Sequence, residues 1–323
     1  MKKMIALIML SIMIISCKEE EMSNPENQND LSVFKSNENN MLRFGSIDEL
    51  KEFISIRQEG EVDLLDEARK MSEEGKYNPL LLVYNLEGKE AEQLGIKERD
   101  TPIVSSNDDM LLLLLNEDGE IGIEDNTYRI DGDFVYSYSV GGASSIPKFL
   151  SAYNAGEVRI GNGDTYKFSK ELTIYKHNNQ PEREVEGKGL RGATSYKYFS
   201  NNYRMKARQY NGYWLFYSSI GAKTKVEERK KFLWWSWWKT VKTDNRLEYQ
   251  ITYEITSTFG FPPVTLSASS HKYCYCNSAN KVYDWSVGFP AAPNIYKPLE
   301  GYTKHWAHWY STNPNTVSAT IYY

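Results

Sequence analysis

Cysteine and histidine are scarce, three and four in a chain of 323 residues, so disulfides are not the main source of stability. No G-x-S-x-G, H-E-x-x-H or P-loop pattern occurs, and a Cys-His or Ser-His catalytic pair would have to be assembled by long-range folding. A glycosidase-type carboxylate pair is defined by distance in space rather than in sequence, so a hydrolase stays open as an alternative. Apart from Met4 to Ile15, no apolar run approaches the length of a membrane span, and the body is expected to be soluble. Acidic residues are also missing from one long stretch: none lies between Gly187 and Val226.

That gap belongs to a wider asymmetry. Residues 18–186 carry 18 basic and 36 acidic side chains, whereas residues 187–323 carry 18 basic and only 7 acidic ones. All eight tryptophans also fall in the second part, from Trp214 to Trp309. The shift in charge and aromatic content divides the body into two expected domains, 41–186 and 187–323, and points to an anionic or surface partner.

The N-terminus reads as an address. Met1-Lys2-Lys3 is a basic head, Met4 to Ile15 an apolar core and Ser16 a small residue, together a secretory signal over residues 1–16. Ile14-Ile15-Ser16-Cys17 resembles a bacterial lipobox, which implies lipidation of Cys17 and membrane attachment through it. Lys18-Glu19-Glu20-Glu21 resembles the lysine-plus-acidic tract of surface-exported Bacteroidota lipoproteins, implying an outer-membrane, outward-facing location. Residues 17–40, rich in Asn, Glu and Ser, are expected to be a disordered tether.

Within 41–186 the pattern is α+β. Ser46-Ile47-Asp48-Glu49 is a capping box opening a helix to about Arg57, and a second helix is expected from Val62 to Glu73. Met110 to Leu115 suits a helix or a strand, with Asp108 and Asp109 favouring a helix start. Residues 119–130 and 156–168 repeat one pattern, each expected to be a β-hairpin preceded by a small helix. The segment from Arg43 to Tyr175 resembles one found in secreted and lipid-anchored Bacteroidota proteins, which implies origin rather than chemistry.

From 187 onward the expectation is a mainly-β domain, a sandwich or barrel. Long strands are expected over Gly212–Val226, Phe232–Val241 and Arg246–Ser257, with Glu227–Lys231 as a charged turn, and later over Val264–Cys276, Val282–Phe289 and Thr316–Tyr323. Gly187-Lys188-Gly189-Leu190-Arg191-Gly192-Ala193 matches a dinucleotide fingerprint in letters only. No strand precedes it and no helix follows, so it is read as a joint.

Two stretches carry the candidate site. In Phe232-Leu233-Trp234-Trp235-Ser236-Trp237-Trp238-Lys239, strand parity puts Trp234 and Trp238 on one face and Trp235 and Trp237 on the other. One face is then core, and the other is core under a covering element, a stacking platform for a ligand such as a sugar, or a bilayer contact. Arg204, Lys206 and Arg208 lie two apart and project from one strand face, either packed near the acidic domain or open to a polyanion such as an acidic polysaccharide, lipopolysaccharide or glycan. No nucleic-acid-reading motif accompanies them, so nucleic acid is not an expected partner.

His271, Cys274 and Cys276, with His305 and His308, invite a metal reading. Parity separates His271 from the cysteines, however, and no metal or cofactor is expected. Two cysteines at i and i+2 of a regular strand stand about 7 Å apart at Cα, near the limit for a disulfide, so free thiols are favoured unless a bulge intervenes. The favoured function is non-catalytic binding or adhesion through Trp234, Trp235, Trp237 or Trp238 with Arg204, Lys206 and Arg208. A structural place in an envelope protein complex is the alternative.

Overall fold

The computed structural model describes residues 40–59, 62–75, 77–86, 92–96, 103–104, 106–177, 183–184, 193–232, 235–288, 292, 294–310 and 315–323. The signal, Cys17, most of the tether and the expected joint near 187 lie outside the described residues.

The first part is built as its local signals require. After a short strand β1 (Arg43–Phe44), helix α1 runs over Ile47–Glu59. Its start is held by the capping box: the Glu49 amide donates to the Ser46 hydroxyl (3.2 Å) and the Glu49 carboxylate accepts from the Gly45 amide (2.7 Å). Helix α2 (Leu64–Glu73) begins under an Asp63 cap, and α3 (Leu80–Val83) is a single buried turn. The Leu-rich run is helical: α4 (Asp109–Leu114) starts where the Asp108 carboxylate accepts from the Met110 amide, and every residue of α4 is buried.

Strands β2 (Glu120–Ile123) and β3 (Asn126–Asp131) form the first expected hairpin, with Glu120 opposite Arg129. With β4 (Phe134–Tyr138), β5 (Thr165–Lys167) and β6 (Leu172–Lys176) they make a sheet in the order β1-β2-β3-β4-β6-β5. Helix α5 (Ile146–Asn154) packs Ile146 and Phe149 against Tyr136, Leu172 and Ile174 of this sheet. The second expected hairpin does not form. Residues 157–158 give their amides to the Ala152 carbonyl at the end of α5, and β5 pairs with β6 instead. The repeat is therefore one of sequence and helix, not of hairpin.

The rest is mainly β. Strands β7 (Arg183–Glu184), β8 (Ala193–Ser200), β9 (Tyr203–Tyr213), β10 (Tyr217–Phe232) and β11 (Trp235–Val241) form a second sheet. The long β10 pairs with β9 on one edge; on the other it pairs with β14 (Ser278–Val287) along its first half and β11 along its second. A third sheet has the order β13-β12-β15-β16, comprising β12 (Thr243–Ser257), β13 (Val264–Cys276), β15 (Asn294–His308) and β16 (Thr316–Tyr322). The second and third sheets pack face to face. Phe199, Met205, Ala207 and Val226 meet Ala307, Ala319 and Ile321, and farther along Ile220 meets Tyr249, Ile251 and Tyr253.

Two strand expectations need correction. Glu227–Lys231 is not a turn but the middle of a hairpin arm, because its charges are paired within the sheet: Glu227 with Arg204 and Lys225, and Glu228 with Lys230. The chain turns back beyond Phe232 instead, which pairs with Trp235, and the expected strand 212–226 is itself broken at Trp214–Phe216, where Leu215 has φ 65° and separates β9 from β10. The described residues fall in one compact unit, 34–323.

Candidate functional site

Register makes the site. Because β9 and β10 are antiparallel, Arg208 stands opposite Lys223, Lys206 opposite Lys225 and Arg204 opposite Glu227. Side chains two apart on a strand share a face, so six charged residues form a three-by-two array on one face of the second sheet. The intervening residues Met205, Ala207 and Val226 are buried in the core between the sheets, which turns the array toward the helical part. Two of its three rungs place like charges directly across from each other, an unfavourable arrangement unless something answers the charge.

Among the described residues, Asp109 and Glu227 answer part of it. Lys223 is buried against Asp109, the first residue of α4. Glu227, also buried, meets Arg204 at 2.7 Å and Lys225 at 3.0 Å. Burial pushes the Glu227 carboxyl up, but Lys225, Lys206 and Arg204 together hold it down at about 2. Asp108 is engaged elsewhere: besides the Met110 amide it accepts from Tyr217 (2.6 Å) and from Ser219, and its burial raises its pKa. Lys206 makes no ion pair among the described residues. Burial first, then Arg208 and Lys225, lower its pKa to about 7.

Between this array and the helical part lies a cavity of about 120 Å³, lined by Lys206, Arg208, Lys223 and Lys225 on the sheet side and by Tyr84, Asn85, Ser106 and Asn107 on the other. The side-chain Oδ1 of Asn85 accepts from the Thr240 hydroxyl of β11 (3.1 Å), tying the two walls together, and Thr240 in turn accepts from Lys225.

Beyond the cavity, the Arg204 guanidinium lies 4.0 Å from the ring centre of Trp238 and 4.4 Å from that of Tyr196 on β8. Cation–π attraction and the Glu227 ion pair hold it in one place. The half-buried Trp238 therefore sits on the same side as the basic array, as strand parity required. Trp237 points the other way along β11 and buries its indole Nε1 without a hydrogen-bond partner. Trp234 and the side chain of Trp235 lie outside the described residues.

Of the residues singled out from sequence, Arg204, Lys206, Arg208 and Trp238 are brought together on one side. Lys223, Lys225, Glu227, Asp109 and Tyr196 complete the site. The i, i+2, i+4 spacing of Lys223, Lys225 and Glu227 was the signal for three of them, hidden once Glu227 is taken for a turn. The cysteines depart from expectation: Cys274 and Cys276 are joined in a disulfide, their Cα atoms 5.3 Å apart, well inside the disulfide range and closer than two residues of a fully extended strand. His305 does not join them. It is wholly buried, with Nδ1 2.7 Å from the Thr224 hydroxyl and Nε2 2.8 Å from that of Thr303, and burial lowers its pKa to about 3. His308 bonds Thr316, and among the described residues no group of three or more His, Cys, Asp or Glu side chains is placed to hold a metal.

No protein-family model, curated protein or solved structure matches this chain.

Proposed function

We propose that this is a lipid-anchored, surface-exposed, non-catalytic binding protein whose ligand is a glycan or another anionic polymer. The observation that carries the reading is the coincidence, on one sheet face, of an aromatic-clamped Arg204, the half-buried Trp238 and the neighbouring cations Lys206, Arg208, Lys223 and Lys225. A flat indole beside fixed cations suits a sugar ring carrying acidic groups. Anchoring rests on the lipobox-like residues around Cys17, and the acidic tract after it supports outer-membrane display. The test is a polysaccharide binding screen repeated at rising salt and with Trp238→Ala. Binding that weakens with salt and is lost in the variant supports the reading. A folded protein that binds no glycan or polyanion at low salt sinks it.

A second reading has its own observation. The outer strand β13 is exposed along most of its length, and the tip joining it to β12 shows Phe259 and Phe261 at 65% and 68% exposure, with Val264 and Leu266 beside them. An open apolar strand edge accepts a strand from another protein, so a place in an envelope complex would be held there. Charges at Phe259 and Phe261 that abolish co-purification of an envelope protein, without changing polymer binding, would favour it.

A further inference from the structure

Strand β13 is 13 residues long and pairs on one side only; among the described residues it is the longest strand with a single neighbour. It also stands clear of the sandwich. Leu247, Tyr249 and Ile251 of β12 are buried toward the second sheet, yet Val264, Leu266 and Ser270 on the same face of β13 are exposed, and only Cys276 of the whole strand is buried. Edges of this length are ordinarily blunted by charge, proline or a bulge. Here the strand holds no acid and no proline, its one lysine is Lys272, and it runs beside β12 without a register shift. Phe259, Phe261, Val264, Leu266, Tyr273 and Tyr275 all lie on β13 or the loop before it, so the open edge and an exposed apolar patch coincide.

The strand is complementary to its own reverse. Turned about Ser270, it places Tyr275 opposite Thr265, Tyr273 opposite Ser267, Leu266 opposite Cys274 and Lys272 opposite Ala268. Each tyrosine then meets a small or β-branched residue, and the lysine faces no charge. Pro262 and Pro263 cannot donate to a ladder; this register uses all of β13 and leaves both outside it.

We propose that β13 pairs with β13 of a second copy of this chain, antiparallel about a two-fold axis at Ser270, joining two four-stranded sheets into one of eight strands. The proposal rests on the open-edge reading above and names the occupant as the same chain. An edge about 40 Å long and roughly 10 Å across covers on the order of 400 Å² per copy, about half of what a standard interface needs. The two-fold also carries the loop with Phe259 and Phe261 of each copy to the Tyr275 end of the other, and these rings supply the remaining area.

The experiment is sedimentation equilibrium of the purified full-length protein in density-matched non-ionic detergent, over a concentration series. A reversible monomer–dimer equilibrium with a micromolar dissociation constant is expected. Ser270→Lys and Ser270→Glu each set like charges against each other on the axis and should weaken it about tenfold or more, whereas an equimolar mixture of the two variants should dimerise again. Under a mild oxidant Ser270→Cys should give a covalent dimer. Thr265→Cys, whose two copies lie about 30 Å apart in this register, should not. Unfolding midpoints of the variants, all at exposed positions, show that each is folded. The proposal is overturned if the parent is monomeric at about 100 μM, far above a micromolar dissociation constant. It is equally overturned if both charged variants dimerise as tightly as the parent, or if mixing them restores nothing. A monomeric parent that still co-purifies an envelope protein through Phe259 and Phe261 removes the second copy and leaves the open-edge reading standing. A dimer that co-purifies no such protein does the reverse to the envelope reading.

Discussion

Lys206 on β9 stands directly opposite Lys225 on β10, and among the described residues only Lys225 of the two has a carboxylate in salt-bridge range. Adjacent rungs hold Arg208 with Lys223 and Arg204 with Glu227. Such a pair lowers stability by itself. Lys206→Met, which keeps the aliphatic stem and removes the charge, should raise stability at neutral pH by about 1–2 kcal/mol, the order seen when buried ionic groups give way to apolar ones.

The same residue sets a pH dependence. Facing Lys206 are Arg208 on its own strand, Lys223, Lys225 and Glu227 on β10, and the Tyr196 ring on β8; Tyr84 and Asn85 stand across the cavity. Its folded pKa of about 7 lies below the ordinary 10.5, so between those values the unfolded chain binds more protons than the folded one. Stability therefore rises with pH across that window and the charge penalty is full below it. Urea midpoints measured from pH 6 to pH 10 should climb in the parent and climb less in Lys206→Met.

Glu227 should behave in the reverse sense. Glu227→Gln leaves Arg204, Lys206 and Lys225 without their common carboxylate and should cost about 3–5 kcal/mol, the usual penalty for breaking a buried ion pair from one side. Because its folded pKa of about 2 lies below the ordinary 4.5, the stability it supplies is complete above 4.5 and is lost as pH falls toward 2. Acid titration of parent and variant by circular dichroism should show their difference shrinking across that interval.

The uneven legibility of this chain has physical causes. The capping box at Ser46, the Asp108 cap and the strand Val264–Cys276 follow from local backbone chemistry, and the structure has them where periodicity puts them. Strand β15 gives no such signal, because Pro298 and Gly301 interrupt it. It forms since β12 and β16 pair with it on both edges and a register shift at Thr252 absorbs the irregularity. Gly301, at φ 128°, also lets β15 approach the Gln250 carbonyl where a Cβ would stand 2.2 Å away. For the site, parity showed that Arg204, Lys206 and Arg208 share a face. It could not show that Lys223, Lys225 and Glu227 lie opposite them, since register between strands depends on the turn at Trp214–Phe216 and on the packed core.

His305 offers a test of how the two sheets are joined. Its ring bridges Thr224 of β10 and Thr303 of β15, so each nitrogen has one hydroxyl partner and a second proton has no acceptor free to water. Burial lowers its pKa from 6.5 to about 3. The imidazole C2–H resonance of His305 should stay unchanged from pH 8 to pH 5. In that interval and below, to about pH 3, the unfolded chain takes up the proton first, so His305 lowers stability as pH falls from 6.5. A resonance that titrates near 6.5 would mean that the sheets open around it.

The Arg204 guanidinium is fixed by Tyr196, Trp238 and Glu227 at once. Trp238→Ala removes one ring of that clamp without touching the ion pair, and a half-exposed cation–π contact is worth about 0.5–1 kcal/mol. The variant should therefore remain folded, with a loss of that order in denaturant unfolding, yet lose most of its affinity for an anionic polymer. Trp238→Phe keeps a ring for Arg204 to lie on and should recover much of the lost stability, but less of the affinity, because the smaller ring covers less of a sugar face. If Trp238 is a packing residue alone, stability and affinity will instead fall and recover together through the series. The ratio of the two recoveries, measured on the same preparations, decides which role the tryptophan has.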